Sequence, residues 1–243
     1  MGLQIAIDLK SVHSIQIPET IYKIYDVLQE QSLQSDNWRE MDENTLWNHL
    51  CLCILSSNVT YDLAKSALSQ LNKLKIFDPH QMVQEQSSQK ILETELSKSI
   101  YLPQKKDGSF RKYRFPSIRA KNIVNAAAII YLNGKTIRHF LENAISEENM
   151  RNYFADNISG LGLKESSHFL RNIKYSSSLA IIDVHIVSFL KEMGLISANK
   201  IAVTPRIYLH LEKIMQQISE INCLNLSILD NAIWHYMKYK PNS

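Results

Sequence analysis

The chain has 243 residues, 45% hydrophobic and 21% charged, enough to bury one generous core or two small lobes that share an interface. No apolar run approaches the roughly 20 residues that cross a bilayer, and Asp8 and Lys10 interrupt the one candidate leader core, so the reading excludes a membrane span and expects a cytoplasmic protein, nucleoid-associated if prokaryotic. The formal net charge of +3 conceals a split of −5 for residues 1–100 and +8 for residues 101–243. A polyanion would bind the basic half, unless the excess merely solvates a surface.

Helical spacing dominates the chain, and strand-like alternation is scarce. A first helix is expected over 19–31, where Ile21, Ile24, Tyr25 and Leu28 form an apolar stripe that needs a partner, which the C-terminal helices could supply. Leu46, Leu50, Cys53 and Ile54, then Leu63, Ala67, Leu68 and Leu71, fit turns of 3.6 residues. Cys51, Cys53 and Cys223 suit neither a disulfide framework nor an iron–sulfur cluster held by four thiolates, and are read as core residues. Residues 81–89 are polar enough for a surface helix or loop.

Residues 105–121 gather Lys105, Lys106, Arg111, Lys112, Arg114, Arg119 and Lys121 around Phe110, Tyr113 and Phe115, with only Asp107 opposing. Lys106-Asp107-Gly108-Ser109 is a turn signal, so the stretch is a loop or short hairpin, either tracking a phosphate backbone or simply solvated. Further helices are expected over 147–156, 164–173 and 184–190. No internal repeat, low-complexity tract or long linker interrupts the series. An all-α or nearly all-α protein follows.

Two of the six glycines fall in Ile158-Ser159-Gly160-Leu161-Gly162-Leu163-Lys164, between two helical patterns. Glycines at alternate positions allow a tight turn and bring bare N–H groups, aided by a following helix N-terminus, close to a phosphate. The same pattern also serves as an ordinary structural turn. Beyond it, Leu179-Ala180-Ile181-Ile182 delivers a carboxylate, Asp183, into an apolar setting, where a lone acid needs a reason. The 19 residues from Lys164 to Asp183 suffice for a helix out, a loop at 175–178 and a return to the same end. Asp183 also stands where it would cap the next helix, which is compatible with a chemical role.

Gly160-Leu161-Gly162-Leu163-Lys164, followed at this spacing by Asp183-Val184-His185, resembles the signature of the helix-hairpin-helix DNA glycosylase superfamily. The run Gly160 to Asn172 is particularly similar to the small archaeal and bacterial 8-oxoguanine DNA glycosylase/lyase family, and the resemblance covers about residues 45–238. It implies an all-α fold of two helical lobes, with the active site in the cleft between them. The divisions expected are 1–40, packing with the C-terminal helices; 41–174, holding the hairpin; and 175–243, holding Asp183 and the C-terminal lobe.

The same resemblance implies a bifunctional enzyme that flips a damaged base, 8-oxoguanine first among candidates, out of double-stranded DNA. Lys164 is then the amine nucleophile and Asp183 its partner. Asn58, with Ser57, would fill the space left by the extruded base. Gly160, Gly162, His185, Arg119 and Lys121 would contact DNA, although His185 serves equally as a helix-start or core residue. Trp234, Phe115 and Ser243 would form the base pocket, although Trp234 serves also as a core residue. Where family members commonly finish with a lysine, this chain finishes Lys240-Pro241-Asn242-Ser243. No cofactor and no metal are expected, and a monomer would suffice. Three alternatives stay open: the same chemistry on another modified base, including those of foreign DNA; a module that holds DNA without reacting; and a helical scaffold with no nucleic-acid partner, whose charge polarity would serve protein binding.

Overall fold

The computed structural model describes residues 15–32, 36–196 and 201–240. Among these, twelve α-helices accompany a single two-stranded sheet. Helix α1 spans Glu19–Ser32, and α2 to α9 follow as Glu43–Ser56, Tyr61–Leu71, Pro79–Gln84, Ser88–Leu96, Pro116–Tyr131, Ile137–Glu142, Glu147–Asn157 and Leu163–Asn172. The series ends with α10, Val184–Glu192, α11, Pro205–Ile221, and α12, Leu226–Tyr239. The sheet, β1 Ser99–Tyr101 and β2 Arg111–Lys112, is an antiparallel hairpin that realises the turn signal between α5 and α6.

Side-chain caps set most helix starts. Asp42 accepts from Thr45 N–H, Asp78 from Gln81, Thr136 from His139, Ser146 from Asn149, Thr204 from Ile207 and Asn225 from Ser227, each satisfying a donor that the first turn cannot. Pro79, Pro116 and Pro205 stand in first turns, where no amide hydrogen is missed. The polar stretch 81–89 divides between α4 and α5. It is not wholly superficial, because Met82 is buried and the Ser88 hydroxyl donates to the Met82 carbonyl.

The chain divides into two compact units, residues 37–175 and residues 1–36 with 176–243. The first is built around α2, whose residues Leu50 to Leu55 are all buried. Trp47 lies edge-on to Tyr131 at 5.6 Å, and its indole donates to the Phe77 carbonyl in the short 3-10 turn Lys75–Phe77. In the second unit α1 packs its Ile21 and Tyr25 face against α12, and the Tyr25 hydroxyl accepts from Asn225 N–H. Cys51 and Cys53 are buried as expected, but Cys223 is exposed. It follows the last turn of α11 with φ +53°, and the chain leaving that turn carries the thiol outward instead of into the core.

One carboxylate ties three elements of the larger unit. Glu43, in the first turn of α2, accepts from the Tyr131 hydroxyl at 2.8 Å and from Ile137 N–H at 2.6 Å, so it serves α6 and the start of α7 together. Burial and the Glu43 charge both push the Tyr131 phenol above its ordinary range, so it stays a donor. Glu43→Ala leaves both donors unmet. We expect a loss of about 1–3 kcal/mol in unfolding free energy, measured by urea denaturation.

Candidate active site

The segment from Ile158 to Leu163 forms a tight hairpin between α8 and α9. Leu161 N–H donates to the Ile158 carbonyl, and Gly160 adopts φ +91°, a backbone that side chains disfavour. A Cβ at Gly160 would stand 2.4 Å from Asn122 Nδ2, on a buried Asn of α6, so the hairpin rests directly on that helix. Gly162 differs: its φ of −95° suits any residue, and it caps α9 without a side chain. The first-turn N–H groups of α9 are therefore open to an anion, and the helix dipole favours one there.

Lys164 is the second residue of α9. Its side chain is 44% exposed and stands 3.6 Å from Glu165 Oε1, a loose pair that leaves the amine accessible. One turn on, His168 is largely enclosed, and burial, then Arg171, Lys164 and His49, pull its imidazole down to about 4. Behind the lysine, burial and the Glu165 charge raise Cys53 well above the ordinary thiol range, despite the opposing pull of Lys164, so it is an uncharged wall.

The turn after α2 carries Ser57 and the exposed Asn58, at φ +61°. Arg119, expected to contact DNA, is only 7% exposed and donates through Nη2 to the Ser57 carbonyl at 2.7 Å. It holds the Asn58 turn from behind instead. Lys121, two residues on, is exposed. Phe115 is half-buried at the N-cap of α6, with the Arg114 guanidinium 5.0 Å from its ring centre.

In the other unit, Asp183 is the N-cap of α10. Its Oδ1 accepts from both His185 N–H, at 2.8 Å, and Ile186 N–H, at 3.0 Å. Among the described residues nothing bonds to Oδ2. The His185 ring lies 5.8 Å from Trp234, edge to face, and Lys238 Nζ stands 4.3 Å over the same indole, so Asp183, His185 and Trp234 belong to one neighbourhood. Ser243 lies outside the described residues.

The extended arm before Asp183 belongs to no helix or strand, and its backbone is satisfied by side chains. Ala180 N–H donates to Glu212, Ile181 N–H to Asp230, and the Tyr208 hydroxyl to the Ala180 carbonyl. Glu212, Asp230 and Tyr208 are all buried on α11 and α12. These residues, with Asn122, escaped the sequence reading. An apolar run ending in an acid could have prompted a search for acceptors on the helices that cover it.

Among the described residues no group of three or more His, Cys, Asp and Glu is arranged to hold a metal ion, and no helix is long and apolar enough to cross a membrane. The larger unit thus offers an accessible amine at a helix start without a side-chain cap, and the other unit a carboxylate whose Oδ2 has no partner among the described residues.

This arrangement sits on a helical fold shared with solved DNA glycosylases. The 8-oxoguanine DNA glycosylase of Methanocaldococcus jannaschii superposes with a TM-score of 0.68 at 28% identity, covering 90% of this chain and 93% of that one. The structure of the 8-oxoguanine glycosylase/lyase from the same organism, in complex with a 15mer DNA containing 8-oxoguanine, gives 0.63 at 27% identity, covering 97% of each chain. A relative named 8-oxoguanine DNA glycosylase/AP lyase, from Sulfurisphaera tokodaii, is 36% identical over 203 residues, 83% of this chain and 84% of that protein. The Ogg-HhH family model, 8-oxoguanine DNA glycosylase, matches residues 29–224, and the chain belongs to that family.

Two outcomes test the local account. Gly160→Ala combines a left-handed backbone with the Asn122 collision, whereas Gly134, at φ +69°, has nothing within 4 Å of a new Cβ. Gly134→Ala is expected to cost about 1 kcal/mol and Gly160→Ala about 2–3 kcal/mol, with Asn122→Ala recovering the difference in a double-mutant cycle of thermal melts. His168 binds its proton more weakly folded than unfolded, so its contribution to stability is complete above pH 6.5 and is lost as pH falls toward about 4. Denaturation midpoints across that window should fall less steeply in His168→Gln than in the parent.

Proposed function

We propose that this protein is a DNA glycosylase with lyase activity that removes 8-oxoguanine from duplex DNA, with Lys164 as nucleophile and Asp183 as its electrostatic partner. The observation that carries the reading is the accessible Lys164 amine at the open start of α9, in a chain of the 8-oxoguanine DNA glycosylase family. The first-turn N–H groups of α9 beside that amine, which have no side-chain cap, suit a backbone phosphate and support it.

The glycosidic carbon is unreachable inside the base stack, so the nucleotide must be extruded. Asn58, exposed on its anchored turn, fills the vacancy, while Trp234, Phe115 and Ser243 receive the base. Gly160, Gly162, His185 and Lys121 take up backbone phosphates. The neutral Lys164 amine forms a bond to C1′ as the C1′–N9 bond breaks, and the base leaves with the electron pair and acquires a proton. Asp183 Oδ2, which accepts from no donor among the described residues, opposes the positive charge that develops on the sugar. Opening of the sugar ring gives the Schiff base. Loss of a C2′ proton then expels the 3′ phosphate by β-elimination, and water releases the lysine. One chain carries both groups, so a monomer suffices, at work on DNA in the cytoplasm.

Borohydride trapping on a duplex with 8-oxoguanine opposite cytosine tests this directly. The parent should give a covalent protein–DNA adduct that needs the lesion, and Lys164→Gln should give neither adduct nor strand cleavage. Asp183→Asn keeps the helix cap but replaces a carboxylate oxygen by an amide. Its melting temperature should match the parent while single-turnover excision falls about 10²-fold or more. An adduct that survives Lys164→Gln would overturn the assignment.

A further inference from the structure

We infer that the β1–β2 hairpin is a second grip on duplex DNA, one that binds backbone phosphates to the side of the lesion next to the Asn58 turn. The inference rests on the proposed action on DNA and extends it to a surface the chemistry does not use.

The two strands are anchored by the buried Tyr101 and Tyr113, but the outer part of the hairpin, residues 102–112, is exposed throughout and covers almost nothing. Lys105 N–H donates to the Ser109 carbonyl, Gly108 N–H to the Lys105 carbonyl, and Arg111 Nε to the Pro103 carbonyl, so the two sides are locked together. Leu102 and Phe110 nevertheless stay 52% and 45% exposed. A rigid protrusion that buries so little apolar surface contributes little to the fold.

Its charge is one-sided, opposed within the stretch only by Asp107, whose carboxyl Ser109 and, more weakly, Lys105 hold below the ordinary range. Lys105, Lys106, Arg111, Lys112 and Arg114 are all exposed, and among the described residues no carboxylate forms an ion pair with any of them. The one acid in the stretch, Asp107, turns its Oδ1 back onto Ser109, accepting from both its N–H and its hydroxyl. Lys105, Arg111, Lys112 and Arg114 line an open concavity of about 430 Å³ together with Phe110. An open trough of cations with an aromatic floor suits a sugar–phosphate backbone.

The root of the hairpin ties it to the turn proposed to enter the duplex. Tyr113, buried just after β2, donates its hydroxyl to the Leu55 carbonyl in the last turn of α2, and Arg119 donates to Ser57. A duplex entered by Asn58 therefore runs on beside the hairpin, within the same unit.

The test is the salt dependence of binding to a long undamaged duplex by Lys105→Ala/Lys112→Ala, neither of which holds a structural bond through its ammonium. Loss of two phosphate contacts should lower the slope of log affinity against log salt by about 1.8 and weaken binding roughly tenfold at low salt. Single-turnover excision at saturating enzyme should not change, and Lys105→Arg/Lys112→Arg should restore the slope. A slope and affinity equal to the parent's, in a variant with the parent's melting temperature, would overturn the inference. Lesion-dependent trapping by the parent reports separately on the glycosylase reading: a reduced slope without any trapping leaves the hairpin contact standing and removes the chemistry.

Discussion

Asp183, proposed to act on DNA, is carried by an arm that has no secondary structure of its own, and the buried acids Glu212 and Asp230 hold that arm in place. The arm 176–182 crosses apolar surroundings in which Leu179, Ala180 and Ile182 are buried, so its amides cannot turn to water. Each unmet N–H there would cost about 1–3 kcal/mol. Glu212 and Asp230 accept the amides of Ala180 and Ile181, and Tyr208 donates to the Ala180 carbonyl. Because α11 and α12 make these bonds, the position of Asp183 is a property of the helices and not of the loop.

The larger unit solves the corresponding problem with cations and glycines. Its surface proposed to meet DNA consists of turns: the Asn58 turn after α2, the Gly160 hairpin before α9 and the β1–β2 hairpin. Each is held by a buried group on or next to α6. Asn122 lies against Gly160, Arg119 bonds Ser57 and Tyr113 bonds Leu55. Helix α6 is thus the common support from which the proposed DNA contacts project.

The helices were legible because their apolar periodicity is long, as in the stripes Leu46 to Ile54 and Leu63 to Leu71. The Gly160–Lys164 motif and Asp183 were legible because their residue types are unusual where they stand. Glu212, Asp230 and Asn122 were not, since a polar residue inside a helix looks the same whether it faces water or a backbone amide. Arg119 shows the reverse failure. It sits in a cationic run, but the helical turn from Phe115 rotates it inward, and spacing alone does not say which cations face solvent. Cys223 misled in the same way, because a left-handed turn residue leaves the periodic pattern that surrounds it.

In the proposed mechanism, the cap geometry of Asp183 lets one residue serve both structure and chemistry. Two first-turn amides of α10 converge on Oδ1, which fixes the carboxylate, and among the described residues Oδ2 has no partner. A carboxylate whose two oxygens both accepted from the helix start would be just as well placed but would present less unshared charge to a developing cation. One whose oxygens were both free would lose orientation as the helix start frayed. Glu at this position would not substitute, since its extra methylene moves the oxygens out of capping reach of the amides two and three residues on. The constraint therefore selects aspartate for its length as much as for its charge.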